Sequence, residues 1–345
     1  MKQKQILPAE WYDQSAVQLT WPHEHTDWAY MLKEVEECFI NIAREISLRQ
    51  TLIIATPNTK HVKKLLRDNG IKTENIILFE VETNDTWARD HGAITTINEE
   101  GEAVINDFTF NGWGMKFASN YDNLITREMV KANVIKGEYK NNLGFVLEGG
   151  SIESDGKGTI LTTKECLMSD NRNEHMSKQE IEQVLADTLG AKRTLWLENG
   201  YLAGDDTDSH VDTLARLCDE NTIAYVKCYN EQDEHFTALN EMEKELLQMT
   251  KEDGTPYRLI PLPLPDKIEF DGERLPATYA NFLIMNGAVL VPTYNQPSND
   301  KIAIERLQEV FTDREVIGID CNALIKQHGS LHCVTMQYPK EVICK

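Results

Sequence analysis

A hairpin pattern recurs along this chain at intervals of about sixty residues, and it constrains the fold more than any other feature. Apolar runs at residues 92–97 and 103–105 flank Gly101. Runs at 149–152 and 159–162 flank Asp155-Gly156-Lys157-Gly158. Runs at 211–218 and 222–226 flank Asp219-Glu220-Asn221, and runs at 279–285 and 288–292 flank Asn286-Gly287. Asp-Gly and Asn-Gly between apolar runs are strong hairpin signals, because glycine and asparagine accept the positive φ of tight turns. Polar residues stand at the front of the hairpins: Asp90, Glu148, His210 and Asn281, with Cys333 opening a last one. Their numbers differ successively by 58, 62, 71 and 52. Five such units nearly fill the chain. A repeat of this period predicts a closed, propeller-like array whose equivalent positions converge on one pocket.

Helical spacing separates the hairpins. Leu32, Val35, Cys38, Phe39, Ile42 and Ile46 mark a helix over residues 31–48. A buried strand follows at 51–55, then a helix capped by Asn58 that runs to Asp68 and ends at Gly70, then a strand at 75–81. Ser177 and Glu180 have capping-box spacing ahead of a helix ending near Gly190. Further helices are predicted at 233–249 and 300–311, and strands at 257–261 and 315–319. No Gly/Ser-rich linker divides the chain, so residues 1–345 are expected to form one α/β catalytic domain.

The formal charge of −21 excludes the basic footprint that nucleic acid requires. No apolar run reaches membrane-spanning length, and the start Met1-Lys2-Gln3-Lys4 precedes no apolar stretch, so neither a membrane nor a secretory signal is expected. The seven cysteines are odd in number, scattered and without a CxxC pair. They are expected to be reduced, in a cytoplasmic protein, with no zinc framework.

The polar residues carry the chemistry. A cysteine attacks only as thiolate, so it needs a base or a cation brought beside it by the fold. Cys333, in Gly329-Ser330-Leu331-His332-Cys333-Val334-Thr335, is the candidate nucleophile; a buried small hydrophobe is the commoner fate of a lone cysteine. The other six cysteines show no polar constellation. His210 and Asp212 are expected to enter a strand on one face, suiting proton transfer and cation binding. Asp90, in Trp87-Ala88-Arg89-Asp90, can accept two hydrogen bonds from a planar cation, with Trp87 as a face over it. Glu148 follows a buried run and needs a partner, for which His210 is the candidate. The acidic stretch 205–212 fits no EF-hand or HExxH spacing, so no metal is expected there.

Taken together, these motifs resemble the agmatine deiminase family and the related bacterial peptidylarginine deiminases. The resemblance runs through Leu7-Pro8-Ala9-Glu10-Trp11, Asn84-Asp85-Thr86-Trp87-Ala88-Arg89-Asp90 and Gly112-Trp113-Gly114. It continues through Leu147-Glu148-Gly149-Gly150-Ser151, residues 161–167, Asn171-Arg172-Asn173, residues 206–212, 275–282 and 329–337. It implies a five-bladed α/β propeller (pentein) around a central pocket, and a homodimer. It implies hydrolysis of agmatine to N-carbamoylputrescine and ammonia through a Cys333 thiouronium, without cofactor or metal. The implied catalytic residues are Asp90, Glu148, His210, Asp212 and Cys333. Trp87, Asp206, Trp113 and Asn281 are the implied substrate contacts. Ala93, Ser209, Thr213 and Met336 depart from the family pattern, Ser209 and Met336 near the expected pocket. Deimination of peptidyl-arginine or another guanidine, amidine transfer, and guanidine binding without turnover remain open alternatives.

Overall fold

A parallel third strand beside each hairpin, reached through a helix, is the unit from which this protein is built. The computed structural model describes residues 4–343; the chain start at Met1–Gln3 and Cys344 lie outside the described residues. Ile94–Asn98 pairs antiparallel with Ala103–Thr109, which pairs parallel with Glu138–Val146. The same order recurs in Ile152–Ser154, Thr159–Thr163 and Arg193–Leu197, and in Ala215–Asp219, Thr222–Lys227 and Arg258–Pro263. It recurs again in Leu283–Met285, Ala288–Thr293 and Glu315–Asp320.

The fifth sheet joins the two ends of the chain. Thr335–Pro339 pairs antiparallel with Gln14–Thr20, which runs parallel to Thr51–Thr56 and then Ile76–Glu80. Gln5–Ile6 extends the first sheet, and Glu269–Phe270 forms a separate two-stranded ribbon with Glu273–Arg274. A parallel pair needs a crossover, and helices Ile125–Lys131, Lys178–Leu189, Phe236–Gln248, Pro297–Val310 and Leu32–Ser47 supply one per sheet. The sequence-based caps form as expected: Asn58 accepts from the His61 amide, Ser177 and Glu180 close a capping box, and Gly190 ends its helix in the left-handed region. No described helix is long and apolar enough to cross a membrane.

Two expectations shift in detail. The third hairpin begins at Ala215 rather than at residue 211, because Val211–Thr213 forms a 3-10 turn closed by bonds back to the His210 carbonyl. The fourth begins at Leu283, and Asp90 lies on the four-residue helix Ala88–His91. All five polar positions therefore lie outside the sheet strands, in the short connecting segments ahead of them. A pleated strand would send alternate side chains to opposite faces, whereas a turn lets neighbours converge.

Arg216, fully buried, ties these units together. Its guanidinium donates to Glu10 in the N-terminal segment, to Glu153 in the second sheet and to the Phe282 carbonyl ahead of the fourth. Removing it would strand two buried carboxylates. Arg216→Leu is expected to lower stability by about 3–5 kcal/mol, read as a fall in the urea midpoint. A loss under about 1 kcal/mol would show that the carboxylates find other partners.

Candidate active site

Turns from all five sheets meet around Cys333. The Arg89 amide donates to the Cys333 carbonyl (3.1 Å), fixing the Asp90 turn against the Cys333 turn. Asp90 is held at both oxygens: the Gly150 amide donates to Oδ1 (3.0 Å) and Trp113 Nε1 to Oδ2 (2.9 Å). Trp113 takes φ 55° and ψ 50°, a left-handed conformation that costs a side-chain-bearing residue about 1–2 kcal/mol. The indole reaches Asp90 from there. A Cβ on Gly150 would lie 2.6 Å from His210 Nδ1 and 2.8 Å from Asp90 Oδ1, so only glycine lets the backbone pass between them.

His210 and Asp212, brought together by the 3-10 turn, are both fully buried. His210 Nδ1 is 3.6 Å from Asp90 Oδ1 and Nε2 is 3.5 Å from Glu148 Oε2. Neither ring nitrogen has a hydrogen-bond partner among the described residues. Burial opposes a charged ring, but the carboxylate of Asp90, with Cys166 and Glu148 beside it, holds the imidazole pKa well above its ordinary value. Asp212 Oδ2 meets His332 Nδ1 at 2.7 Å, while Oδ1 has no partner among the described residues. Burial works against the Asp212 carboxylate, and His332 overcomes it, keeping the pKa low. Asp90 is pushed up to about 6, by burial and by the charges of Asp212 and Glu148, against the pull of His210.

Glu148 faces His210, the partner expected for it, and has a second partner that the sequence did not indicate. Its main partner is Arg172, whose Nε donates to both carboxylate oxygens at 3.0 and 2.9 Å. Arg172 also donates to Asp208 Oδ2 (2.6 Å) and the Thr207 carbonyl (2.8 Å), so one guanidinium anchors both the glutamate and the loop ahead of His210. Burial raises the Glu148 pKa less than Arg172 and His210 lower it. Arg172 stood in the motif Asn171-Arg172-Asn173, but nothing local marked it as a partner for a residue 24 positions away.

Cys333 is 5% exposed. Burial, and then the negative charges of Asp212 and Asp90, push its thiol pKa well above the ordinary value. Its amide and its Sγ both reach Asn281 Oδ1 at 3.3 Å, and the same oxygen accepts from the His332 amide at 2.8 Å. Asn281, expected at the substrate, instead lies fully buried and supports the Cys333 backbone. The expectation that the other cysteines lack polar neighbours also fails at Cys166, whose Sγ is 3.8 Å from Glu148 Oε2.

A cavity of about 140 Å³ opens in front of Cys333, lined by Asp90, Trp87, Trp113 and Asp206 among others. Gly329 lies flat on the Trp87 ring, where a Cβ would come within 2.1 Å of it. Asp27, Asp85 and Asp206 all line the cavity, with His328, and no lysine or arginine does. Asp85 Oδ2 accepts from Trp87 Nε1 (3.1 Å), while its buried Oδ1 has no partner among the described residues. Burial and the nearby Asp27 charge push Asp85 up to about 7. Burial also raises the pKa of Asp206, whose carboxylate is 3.9 Å from His328 Nδ1. Asp205 is structural, accepting from Thr207 and the Ser209 amide. Ser209 and Met336 do not line this cavity; Met336 lines a smaller one that also borders Arg89 and Gly149.

The arrangement supplies a shielded thiol, an imidazole between two carboxylates, and acceptors facing a small acidic cavity. The sequence family described as Porphyromonas-type peptidyl-arginine deiminase matches residues 6–339. A Porphyromonas gingivalis protein provisionally named an arginine deiminase is 52% identical, with a TM-score of 0.93 over 99% of this chain and 100% of that one. A Cys-to-Ser variant of a C. jejuni agmatine deiminase, solved with substrate bound, is 38% identical, with a TM-score of 0.90 over 97% of this chain and 96% of that one. A Lactococcus lactis protein provisionally named an agmatine deiminase is 33% identical over 97% of this chain and 95% of its own.

The bond from Trp113 favours the charged form of Asp90. Trp113→Phe is expected to raise the Asp90 pKa further above 6, read from the pH dependence of its carboxyl carbon resonance. An unchanged or lower value would contradict the assigned hydrogen bond.

Proposed function

Because the chain belongs to the Porphyromonas-type peptidyl-arginine deiminase family, we propose that it is an agmatine deiminase, hydrolysing agmatine to N-carbamoylputrescine and ammonia. The observation that carries the substrate assignment is the charge of the cavity. Asp90 in the lining, with Asp212 beyond it whose Oδ1 has no partner among the described residues, suits a guanidinium, and Asp85 and Asp206, also in the lining, suit a second cation. Agmatine has a cation at each end. Free arginine would bring a carboxylate against Asp85 and Asp206, with no lysine or arginine among the described lining residues to receive it; Lys116, next to Asp206, is already held by Asp208 and the Asp206 carbonyl.

In this reading the guanidinium donates to Asp90 and Asp212 and neutralises the two charges that, together with burial, hold the Cys333 thiol protonated. The thiol loses its proton to solvent, and the thiolate attacks the guanidinium carbon, forming a C–S bond. Protonated His210 gives its proton to the departing nitrogen, and ammonia leaves an S-alkylthiouronium. His210, now neutral, takes a proton from water; the hydroxide adds to the carbon, the C–S bond breaks, and a ureido product and the thiol are released. Glu148, fixed by Arg172, favours the protonated ring in the first half and the same ring orientation in the second. The same reading makes the five sheets blades around an axis occupied by the pocket, and their five convergent turns support it.

Ammonia release from agmatine, free arginine and a blocked arginine peptide is the direct comparison. Agmatine is expected to turn over with kcat/KM at least about a hundredfold above either competitor, since free arginine sets a like charge against carboxylates at a cost of several kcal/mol and the blocked peptide lacks the second cation that Asp85 and Asp206 would receive. Cys333→Ala is expected to lower that rate by about 10⁴-fold or more. Preferential turnover of the peptide or free arginine would move the substrate assignment. Retained ammonia release in Cys333→Ala would overturn the mechanism.

A further inference from the structure

Cys166 takes no part in the chemistry above, yet it lies against two groups that do. It sits in the short helix Lys164–Leu167, fully buried. Its Sγ is 3.8 Å from Glu148 Oε2, and that oxygen is 3.5 Å from His210 Nε2. The ligand atoms of Glu148, Cys166 and His210 all lie within 4.8 Å of one another.

A thiolate, an imidazole and a carboxylate are the donors zinc selects; calcium and magnesium take oxygen. With zinc bonds of about 2.0–2.3 Å, the edges of a tetrahedral site are about 3.3–3.8 Å. The Glu148–His210 separation of 3.5 Å matches a nitrogen–oxygen edge, and the Cys166–Glu148 separation of 3.8 Å is slightly longer than a sulfur–oxygen edge, which a small turn of the thiol would close. His210 Nε2 is buried, with no hydrogen-bond partner among the described residues, so its lone pair is not committed elsewhere once the ring is neutral. Another buried group, Glu10, Glu153 and His332, differs in its histidine: both His332 nitrogens are bonded, whereas at Glu148 only the arginine, Arg172, which donates to Oε2 as well as Oε1, has to give way.

We propose that Glu148, Cys166 and His210 form an inhibitory zinc site behind the substrate cavity. Binding releases two protons to solvent, one from the Cys166 thiol and one from the His210 imidazolium, as Zn–S and Zn–N bonds form. Zinc brings two positive charges and two protons leave, so the buried charge is unchanged. Glu148 turns Oε2 to the metal and keeps Arg172 on Oε1. Zinc on His210 removes the ring as proton donor and stops turnover while Cys333 stays free.

The test titrates zinc chloride into the enzyme during ammonia release, for the wild type and for Cys166→Ser and Cys166→Ala. Both variants are expected to turn over without zinc, and to need at least about tenfold more zinc for half-inhibition, the loss already typical of outer-shell partners. Equal sensitivity in wild type and variants, or no inhibition of the wild type, would overturn the proposal. Cobalt binding gives a reading that does not depend on turnover or on the substrate assignment. The Cys333→Ser protein should show a thiolate-to-cobalt charge-transfer band that Cys166→Ser/Cys333→Ser lacks. A band absent from Cys333→Ser, or kept in the double variant, would likewise overturn it.

Discussion

The Cys333 thiol shares a buried centre with the carboxylates of Asp90 and Asp212, and the charge of those carboxylates is only partly met by the protein. Asp212 leaves Oδ1 without a partner among the described residues, Asp90 is raised to about 6, and burial, then both carboxylates, push the thiol up. A buried charge without full compensation is costly, so this centre is stable only because the rest of the structure holds it in place. The deficit is a cation. A guanidinium fits it in charge and in planar hydrogen-bonding geometry, and nucleophile activation then depends on ligand arrival.

The architecture holds that strained centre from outside. Each sheet contributes a turn rather than a strand end, so side chains from distant parts of the chain converge without obeying strand alternation. Arg172 and Arg216 act as two clamps. The first fixes Glu148 and the His210 loop, and the second joins the N-terminal segment, the second sheet and the approach to the fourth. His332 connects the two regions, bonding Asp212 on one ring nitrogen and Glu10 on the other. The geometry of the site therefore rests on buried ion pairs outside the cavity as much as on the residues lining it.

Much of this was legible in the sequence, and the failures have physical causes. Asp-Gly and Asn-Gly turns marked the hairpins, and the spacing of their leading polar residues anticipated that Asp90, Glu148, His210 and Cys333 would meet. The caps at Asn58 and Ser177 were local and were read correctly. The 3-10 turn at Val211–Thr213 was not, because its residues read equally well as strand and the turn is closed by local backbone bonds. The contacts of Arg172, Asn281 and Cys166 were not anticipated because they depend on partners 18 to 52 positions away. No periodicity within one element reveals such a pairing.

The central claim is that Cys333 is a neutral thiol until a guanidinium occupies the carboxylates beside it. Thiolate ultraviolet absorbance at neutral pH, compared between wild type and Cys333→Ser with and without guanidinium ion, tests it most directly. The account predicts no Cys333 thiolate signal in the free protein and its appearance when the cation is added. A thiolate already present in the free protein, and indifferent to the cation, would contradict it.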